Sequence, residues 1–413
     1  MKDPRAPMIP VEQALEIVLR EAAPLQPERI PLSEAMGRAL SEDVIADADQ
    51  PPFPKALMDG FAVRAGDLLA APVELRIVEE ITAGHVPQRR INAGETARIM
   101  TGAPIPDGAD AVQVVEKSEP AGEGKVRILE KVETGANIAP KGNEIRVGQK
   151  ILEAGELLTP ARIGVLASAG RAQVPAHRVP RVSLAATGDE LVDAGRTPVM
   201  GQIRNSNGPA LTARAKSLGA EVVDLGILRD APDALGEGIR RGLQGDLLLL
   251  SGGVSMGVHD LVEAALAEER VEVFIRKIAI RPGKPAVFGR RGSCLVFGLP
   301  GNPVSSLVIF EVLAAVAIRK MMGLKKPEGE LIEARLAEEV RQRAGRTSYL
   351  PGFLRFEGGS LFVQPIRSHG SADLLAHSRA DALFIVPADR ETIAAGERVR
   401  IQLLKWDLAV HLS

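Results

Sequence analysis

The strongest constraint on this chain is the spacing of its apolar runs between residues 180 and 325. Strand-like segments (Arg181–Ala186, Glu221–Leu228, Asp246–Leu250, Ser293–Phe297) alternate with helix-like ones (Pro209–Leu218, Asp233–Leu243, Asp260–Ala267, and a long run from Pro303). Strands separated by helices pair through crossovers, so the pattern predicts a parallel sheet covered by helices. In such a sheet the loops at the carboxyl ends of the strands meet in one crevice. Here those loops read Ala186-Thr187-Gly188-Asp189-Glu190, Asn205-Ser206-Asn207, Ser251-Gly252-Gly253-Val254-Ser255 running on to Asp260, Arg281-Pro282-Gly283-Lys284-Pro285, and Gly298-Leu299-Pro300-Gly301-Asn302-Pro303.

The flanking sequence has different periods. At 413 residues the chain exceeds what one core serves. Residues 10–23 predict an amphipathic helix through Val11, Leu15, Val18 and Leu19, and Leu32–Ala39 a second helix capped by Ser33. Pro51, Pro52 and Pro54 predict a stiff extended linker. Between residues 57 and 146, apolar runs at Val73–Val78, Ala97–Met100, Ala111–Val115 and Val126–Leu129 are broken by Gly, Pro and Asp, which suggests a small barrel or sandwich. Thr159-Pro160 is the start of another helix, and residues 330–413 return to short strand-like runs. The expected architecture is multidomain, α/β plus all-β. It comprises an N-terminal elongated linker module (8–48 with 147–178), a β-rich insertion (49–146), an α/β domain (179–327) and a small C-terminal β-barrel-like domain (328–413).

Composition excludes several classes. The net charge of −2 gives no bulk attraction to nucleic acid, and aromatics at 3%, with Trp406 and Tyr349 the sole Trp and Tyr, leave few stacking platforms. Cys294 is the only cysteine, so no intrachain disulfide forms, in keeping with a cytoplasmic setting. No signal-peptide pattern is expected at the start, and the longest apolar run, Val304–Ile318, is interrupted by Glu311 and too short to span a bilayer.

The loops carry the chemistry. Pro300, Gly301 and Asn302 lie between a strand and a helix, where free amides and the helix dipole attract an anion; a tight turn with Pro303 at the first helical position is the plainer alternative. Ser251, Gly252, Gly253 and Ser255 share that context, and neither loop matches a Walker or dinucleotide fingerprint. Glu190, Asp230 and Asp260 follow successive strands, a reasonable Mg²⁺ cradle, although each alone serves equally as a helix cap. Arg276, Lys277, Arg281 and Lys284 surround one Pro-Gly turn and could clamp an oxyanion. In the insertion, Asp59 follows the proline linker and Thr101 ends a strand; by spacing alone both are turn residues. The six histidines are scattered, His259 reads as a loop residue, and no Ser-His-Asp arrangement is evident.

As a set, Met58–Val63, Met100–Ala111, Ala186–Leu191, Ser251–Asp260, Arg281–Pro285 and Gly298–Ser306 resemble the molybdopterin molybdenumtransferase family (MoeA and the gephyrin E domain). The resemblance implies four domains in an elongated subunit and a head-to-tail homodimer whose active site is shared between subunits. It implies insertion of molybdate, a substrate, into adenylylated molybdopterin with Mg²⁺ present and AMP released. It further implies that Glu190, Asp230 and Asp260 handle metal and substrate, and that Lys277, Arg281 and Lys284 hold phosphate and molybdate. Asp59 and Thr101 would come from the partner subunit, and Ser371 would join from the C-terminal domain. Contact with the adenylyltransferase of the same pathway would follow.

The chain departs from the family string Gly-x-Asn-Ile-Arg-x-x-Gly-Glu-Asp/Glu, having Ala139 for the Arg and Asn143 for the first acid, with Lys141 the nearby replacement cation. His259 stands where a Tyr is common. The competing expectations are a non-catalytic molybdopterin or metal carrier, a tungstate-preferring paralogue, and the adenylyltransferase one step earlier, against which Met58–Val63 and Met100–Ala111 argue.

Overall fold

The structure is a computed structural model and describes residues 8–253 and 261–404. Ser255, His259 and Asp260 lie outside the described residues. The chain forms two compact units. One holds residues up to Glu42, Ala154–Thr159 and everything from Gln173 on; the other holds Asp43–Glu153 and Pro160–Ala172.

The predicted crossover pattern appears in the first unit. Its elements are β1 (Arg181–Thr187), α1 (Asn207–Ser217), β2 (Glu221–Leu228), α2 (Pro232–Gly242), β3 (Leu247–Ser251), α3 (Leu261–Glu268), β4 (Glu272–Lys277), β5 (Pro285–Arg291), β6 (Cys294–Leu299) and α4 (Pro303–Ile309). They make a six-stranded sheet in the order β2-β1-β3-β6-β5-β4. The first four strands are parallel, as expected. The last two are antiparallel additions; the sequence expectation covers only the Arg281–Pro285 loop between them. Strand β3 is buried on both faces: Leu247 and Leu249 join one apolar cluster, Leu248 and Leu250 another. That explains its unbroken Leu run.

Helix α4 continues through a π-helical segment, Phe310–Ala314, into Ala315–Met321. The segment carries Glu311, 3% exposed, which accepts a hydrogen bond from Arg214 Nη2 at 2.9 Å. The N-terminal helix, Val11–Glu21, packs Val11, Ala14 and Val18 into the same core.

The expected helix over Leu32–Ala39 is a single 3₁₀ turn, Leu32–Glu34. Gly37 turns the chain with φ +74°, its amide donates to Leu158 O at 2.9 Å, and Ala39 and Leu40 bridge to Leu157 and Ala176. Strand-type partners therefore outcompete the local helical pattern.

The C-terminal strands Ile332–Leu336, Thr347–Glu357, Ser360–Pro365, Ala382–Val386 and Arg398–Leu403 each pair with two of the others. They close a five-stranded barrel, which leaves no free edge.

The second unit is built on a six-stranded mixed sheet running Ala111–Val114, Gly60–Val63, Glu95–Ile99, Val73–Ile81, Lys125–Ile128, Ser118–Pro120. Ala62 packs on one of its faces and Phe61 and Val63 on the other. A Cβ on Gly60 would lie 2.0 Å from Gln113 O, so only glycine permits this strand spacing.

Candidate active site

Strand ends β1, β3 and β6 open onto one cavity of about 600 Å³. Its walls include Thr187, Gly188, Glu190, Asn205, Asn207, Asp230, Ser251, Gly252, Gly253, Pro300, Gly301 and Asn302. The structure thus brings together eight residues predicted from sequence: Glu190, Asp230, Ser251, Gly252, Gly253, Pro300, Gly301 and Asn302.

The glycines are steric requirements. Gly252 has φ +103°, and a Cβ there would sit 2.4 Å from Thr187 O. A Cβ on Gly253 would meet Val262 Cγ2 at 2.4 Å and Thr187 Oγ1 at 2.8 Å. Gly188 leaves room for the Glu190 carboxylate, which a Cβ would meet at 2.5 Å. The loops can therefore lie directly on strand β1.

Side chains tie the loops together. Asn207, the first residue of α1, donates through Nδ2 to Ser251 Oγ and to Gly301 O, both at 2.8 Å. Asn302 Nδ2 donates to Ser371 Oγ at 2.9 Å, and the Val304 amide donates to Ser371 O at 3.0 Å. Ser371, predicted only by resemblance, is thereby anchored to the start of α4. Beneath this layer Thr187 Oγ1 is buried and has no hydrogen-bond partner among the described residues.

The acidic side of the cavity is crowded. Burial, then the negative charges of Asp189 and Glu190, push the Asp230 carboxyl above the usual carboxylate range. Crowding of this kind favours a cation. Among the described residues no three Asp, Glu, His or Cys side chains converge at metal-binding spacing.

The predicted cations do not line the cavity, although Pro285 beside them does. Arg276 instead faces Glu263 at 3.6 Å. Lys277 lies in strand β4, and Lys284 is exposed on the turn into β5. Arg281 is held by a hydrogen bond from Nη1 to Arg343 O at 3.3 Å. Burial, then the positive charges of Arg346 and Arg343, push its guanidinium below its usual range. Three arginines so placed repel one another and would be relieved by an anion. Arg343 and Arg346 escape sequence reasoning because more than sixty residues separate them from Arg281.

In the second unit, Asp59 and Thr101 are brought together. The Thr101 amide and hydroxyl donate to Asp59 Oδ1 at 2.7 and 2.9 Å. The amide bond, then the hydroxyl, hold the carboxyl below its usual range, assisted by Arg98. Lys141 pairs with Asp49 at 3.5 Å. Ala139 is 2% exposed and stands opposite Lys55, whose Nζ reaches Glu144 Oε1 at 3.2 Å.

A crossover sheet whose strand-end glycines and carboxylates share one cavity is the arrangement of α/β proteins that bind ligands at the carboxyl ends of their strands. Family models agree in order along the chain. Residues 9–170 match the MoeA N-terminal region (domain I and II), 183–320 a probable molybdopterin binding domain, and 333–404 the MoeA C-terminal region (domain IV). The chain is 35% identical to the molybdopterin molybdenumtransferase of Haemophilus influenzae, covering 96% of this chain and 98% of that one. It is 35% identical to the Nostoc protein of the same name, covering 96% and 94%. A solved molybdopterin biosynthesis MoeA protein from Pyrococcus horikoshii is similar at TM-score 0.82 and 28% identity, over 96% of this chain and 100% of that chain. The chain belongs to the molybdopterin molybdenumtransferase family. It is an enzyme of molybdenum cofactor biosynthesis.

Proposed function

We propose that this chain inserts molybdate into the dithiolene of adenylylated molybdopterin, with release of AMP. The observation that carries the reading is the joining, around one cavity, of glycine-walled anion loops with the crowded carboxylates Glu190 and Asp230. A pyrophosphate linkage needs hydrogen-bond donors and a divalent cation; the loops would supply the donors and the carboxylates would hold the cation.

The oxygen-only donor set suits Mg²⁺, which Glu190 and Asp230 would hold together with Asp260. When bound, that ion would neutralise pyrophosphate charge at the bond that breaks. The Ser251–Gly253 and Pro300–Asn302 loops orient the phosphates. Arg281 and Lys284, joined by Arg343 and Arg346, hold the tetrahedral dianion; Lys277 contributes charge from β4. Ser371 would act through its hydrogen bond from Asn302. Asp59, kept ionised by Thr101, accepts a proton or hydrogen bond from water at the reacting centre.

We place Asp59 and Thr101 of a second copy at this site, making the working form a homodimer of four-module subunits: 8–48 with 147–178, 49–146, 179–327 and 328–413. Transfer of substrate from the upstream adenylyltransferase would proceed by direct contact, in the cytoplasm. No helix among the described residues is long and apolar enough to cross a membrane.

A second reading, a carrier without turnover, is favoured by Ala139, whose burial leaves no side chain to contact a ligand where the family string has Arg. Reconstitution decides between them. Product that activates a molybdenum-free apo-enzyme supports the transferase; tight binding without such product supports the carrier.

A further inference from the structure

The hydrogen bonds around Asn207 fix the direction of a proton that the other described residues constrain only weakly. Gly301 O can only accept, so the Asn207 amide must present Nδ2 to it, and the same NH₂ group reaches Ser251 Oγ. Ser251 Oγ is therefore an acceptor toward Asn207. Its own proton needs another partner. Among the described residues the remaining one is Ser306 Oγ at 3.4 Å, well beyond the ~2.7–2.8 Å of a good hydroxyl–oxygen bond. Ser251 is 2% exposed yet lines the cavity, so solvent competes little for that proton.

We infer that Asn207 is a positioning residue which makes Ser251 a dedicated hydrogen-bond donor to an oxyanion in the cavity, while holding the Ser251–Gly253 and Pro300–Asn302 loops at fixed separation. The inference rests on the proposed phosphorylated substrate and adds the orientation of one donor in that site. An acceptor at position 207 would reverse the arrangement: Ser251 would turn its proton toward residue 207 and present a lone pair to the phosphate. Asn207→Asp makes this reversal with almost no change in volume. It also sets a carboxylate against Gly301 O, so a mere loss of loop spacing must be separated from reversal of the donor.

The test is a double-mutant cycle on N207D, S251A and N207D/S251A. Dissociation constants for adenylylated molybdopterin are measured by fluorescence quenching, and turnover by AMP release. Asn207→Ala, which removes the Nδ2 donor without supplying an acceptor, separates loss of loop spacing from reversal of the donor. A donor to a charged oxygen predicts binding weaker by about tenfold to a hundredfold in S251A, and at least as weak in N207D. The double mutant should be no weaker than N207D, N207A should bind more tightly than N207D, and melting temperatures should stay close to wild type. Additive losses in the double mutant, or an unaffected S251A, overturn the inference. So does N207A binding as poorly as N207D. Wild type that binds without releasing AMP defeats the transferase reading and leaves this inference standing. Wild type that does not bind defeats both.

Discussion

Thr101 gives Asp59 two hydrogen bonds, one from its amide at 2.7 Å and one from its hydroxyl at 2.9 Å, both to the same carboxylate oxygen. The pair spans 42 residues of sequence and joins the loop after the proline linker to the end of strand Glu95–Ile99. Its effect is to keep Asp59 ionised at pH values where an ordinary aspartate begins to protonate. Thr101→Val keeps the amide, the larger cause, and removes the hydroxyl. The acid limb of the kcat/KM profile should move to higher pH. Asp59→Asn should cost about a hundredfold or more in turnover with an unchanged circular dichroism spectrum. Wild-type turnover in that variant would remove Asp59 from the reaction.

Asp230 shows the opposite shift, raised first by burial and then by Asp189 and Glu190. A carboxyl whose folded pKa is raised stabilises the fold below its unfolded pKa and loses that contribution as pH rises through the folded value. Above the folded value the metal-free protein carries an unfavourable charge at this position. Asp230→Asn should raise the melting temperature without Mg²⁺, reduce the further rise that Mg²⁺ gives, and lower turnover. Melting curves with and without Mg²⁺ test all three together.

Gly252 lies on Thr187 with φ +103°, and a Cβ would meet the Thr187 carbonyl at 2.4 Å. Gly252→Ala should cost about 1–3 kcal/mol of stability and weaken substrate binding, because the loop must lift from β1. Chemical denaturation measures the first effect. A variant of wild-type stability would show that the loop is not held against the strand.

Arg281 is pressed by Arg346 and Arg343. Removing one of three like charges that await an anion should relieve the empty site and weaken the filled one. Arg346→Ala should raise KM for molybdate about tenfold, with a smaller effect on affinity for adenylylated molybdopterin. Initial rates against molybdate concentration give the answer.

Glu311, buried in the π segment, is the partner of Arg214, whose side chain is 13% exposed. Removing the acid leaves a largely buried guanidinium unpaired. Glu311→Ala should destabilise by about 3–5 kcal/mol. An Arg214→Met, Glu311→Leu pair should be much less damaging, and denaturant midpoints for both compare them.

Much of this was legible in the sequence where one periodicity ruled. The Leu run of β3, the strand-to-helix loops and the C-terminal strands each announced their element, and the loops announced the cavity. Strands β4 and β5 were not legible because Arg276, Lys277 and the Pro-Gly turn mask their apolar residues. Leu32–Ala39 read as helix because nothing local reveals that Ala39 and Leu40 pair with residues more than a hundred positions away. Arg343 and Arg346 were missed because they act through tertiary contacts, and Thr187 and Asn207 were placed at the crevice by their loops but given no role. An Asn in a loop declares neither which strand ends it ties nor which proton it directs.

The central claim is that the cavity breaks a pyrophosphate linkage when molybdate is present. The most direct measurement is AMP release by the purified protein given adenylylated molybdopterin and Mg²⁺, with and without molybdate. The account predicts release that requires molybdate and saturates with it, and that is lost in Asp59→Asn. AMP release that is absent under all these conditions, or equal with and without molybdate, would contradict it.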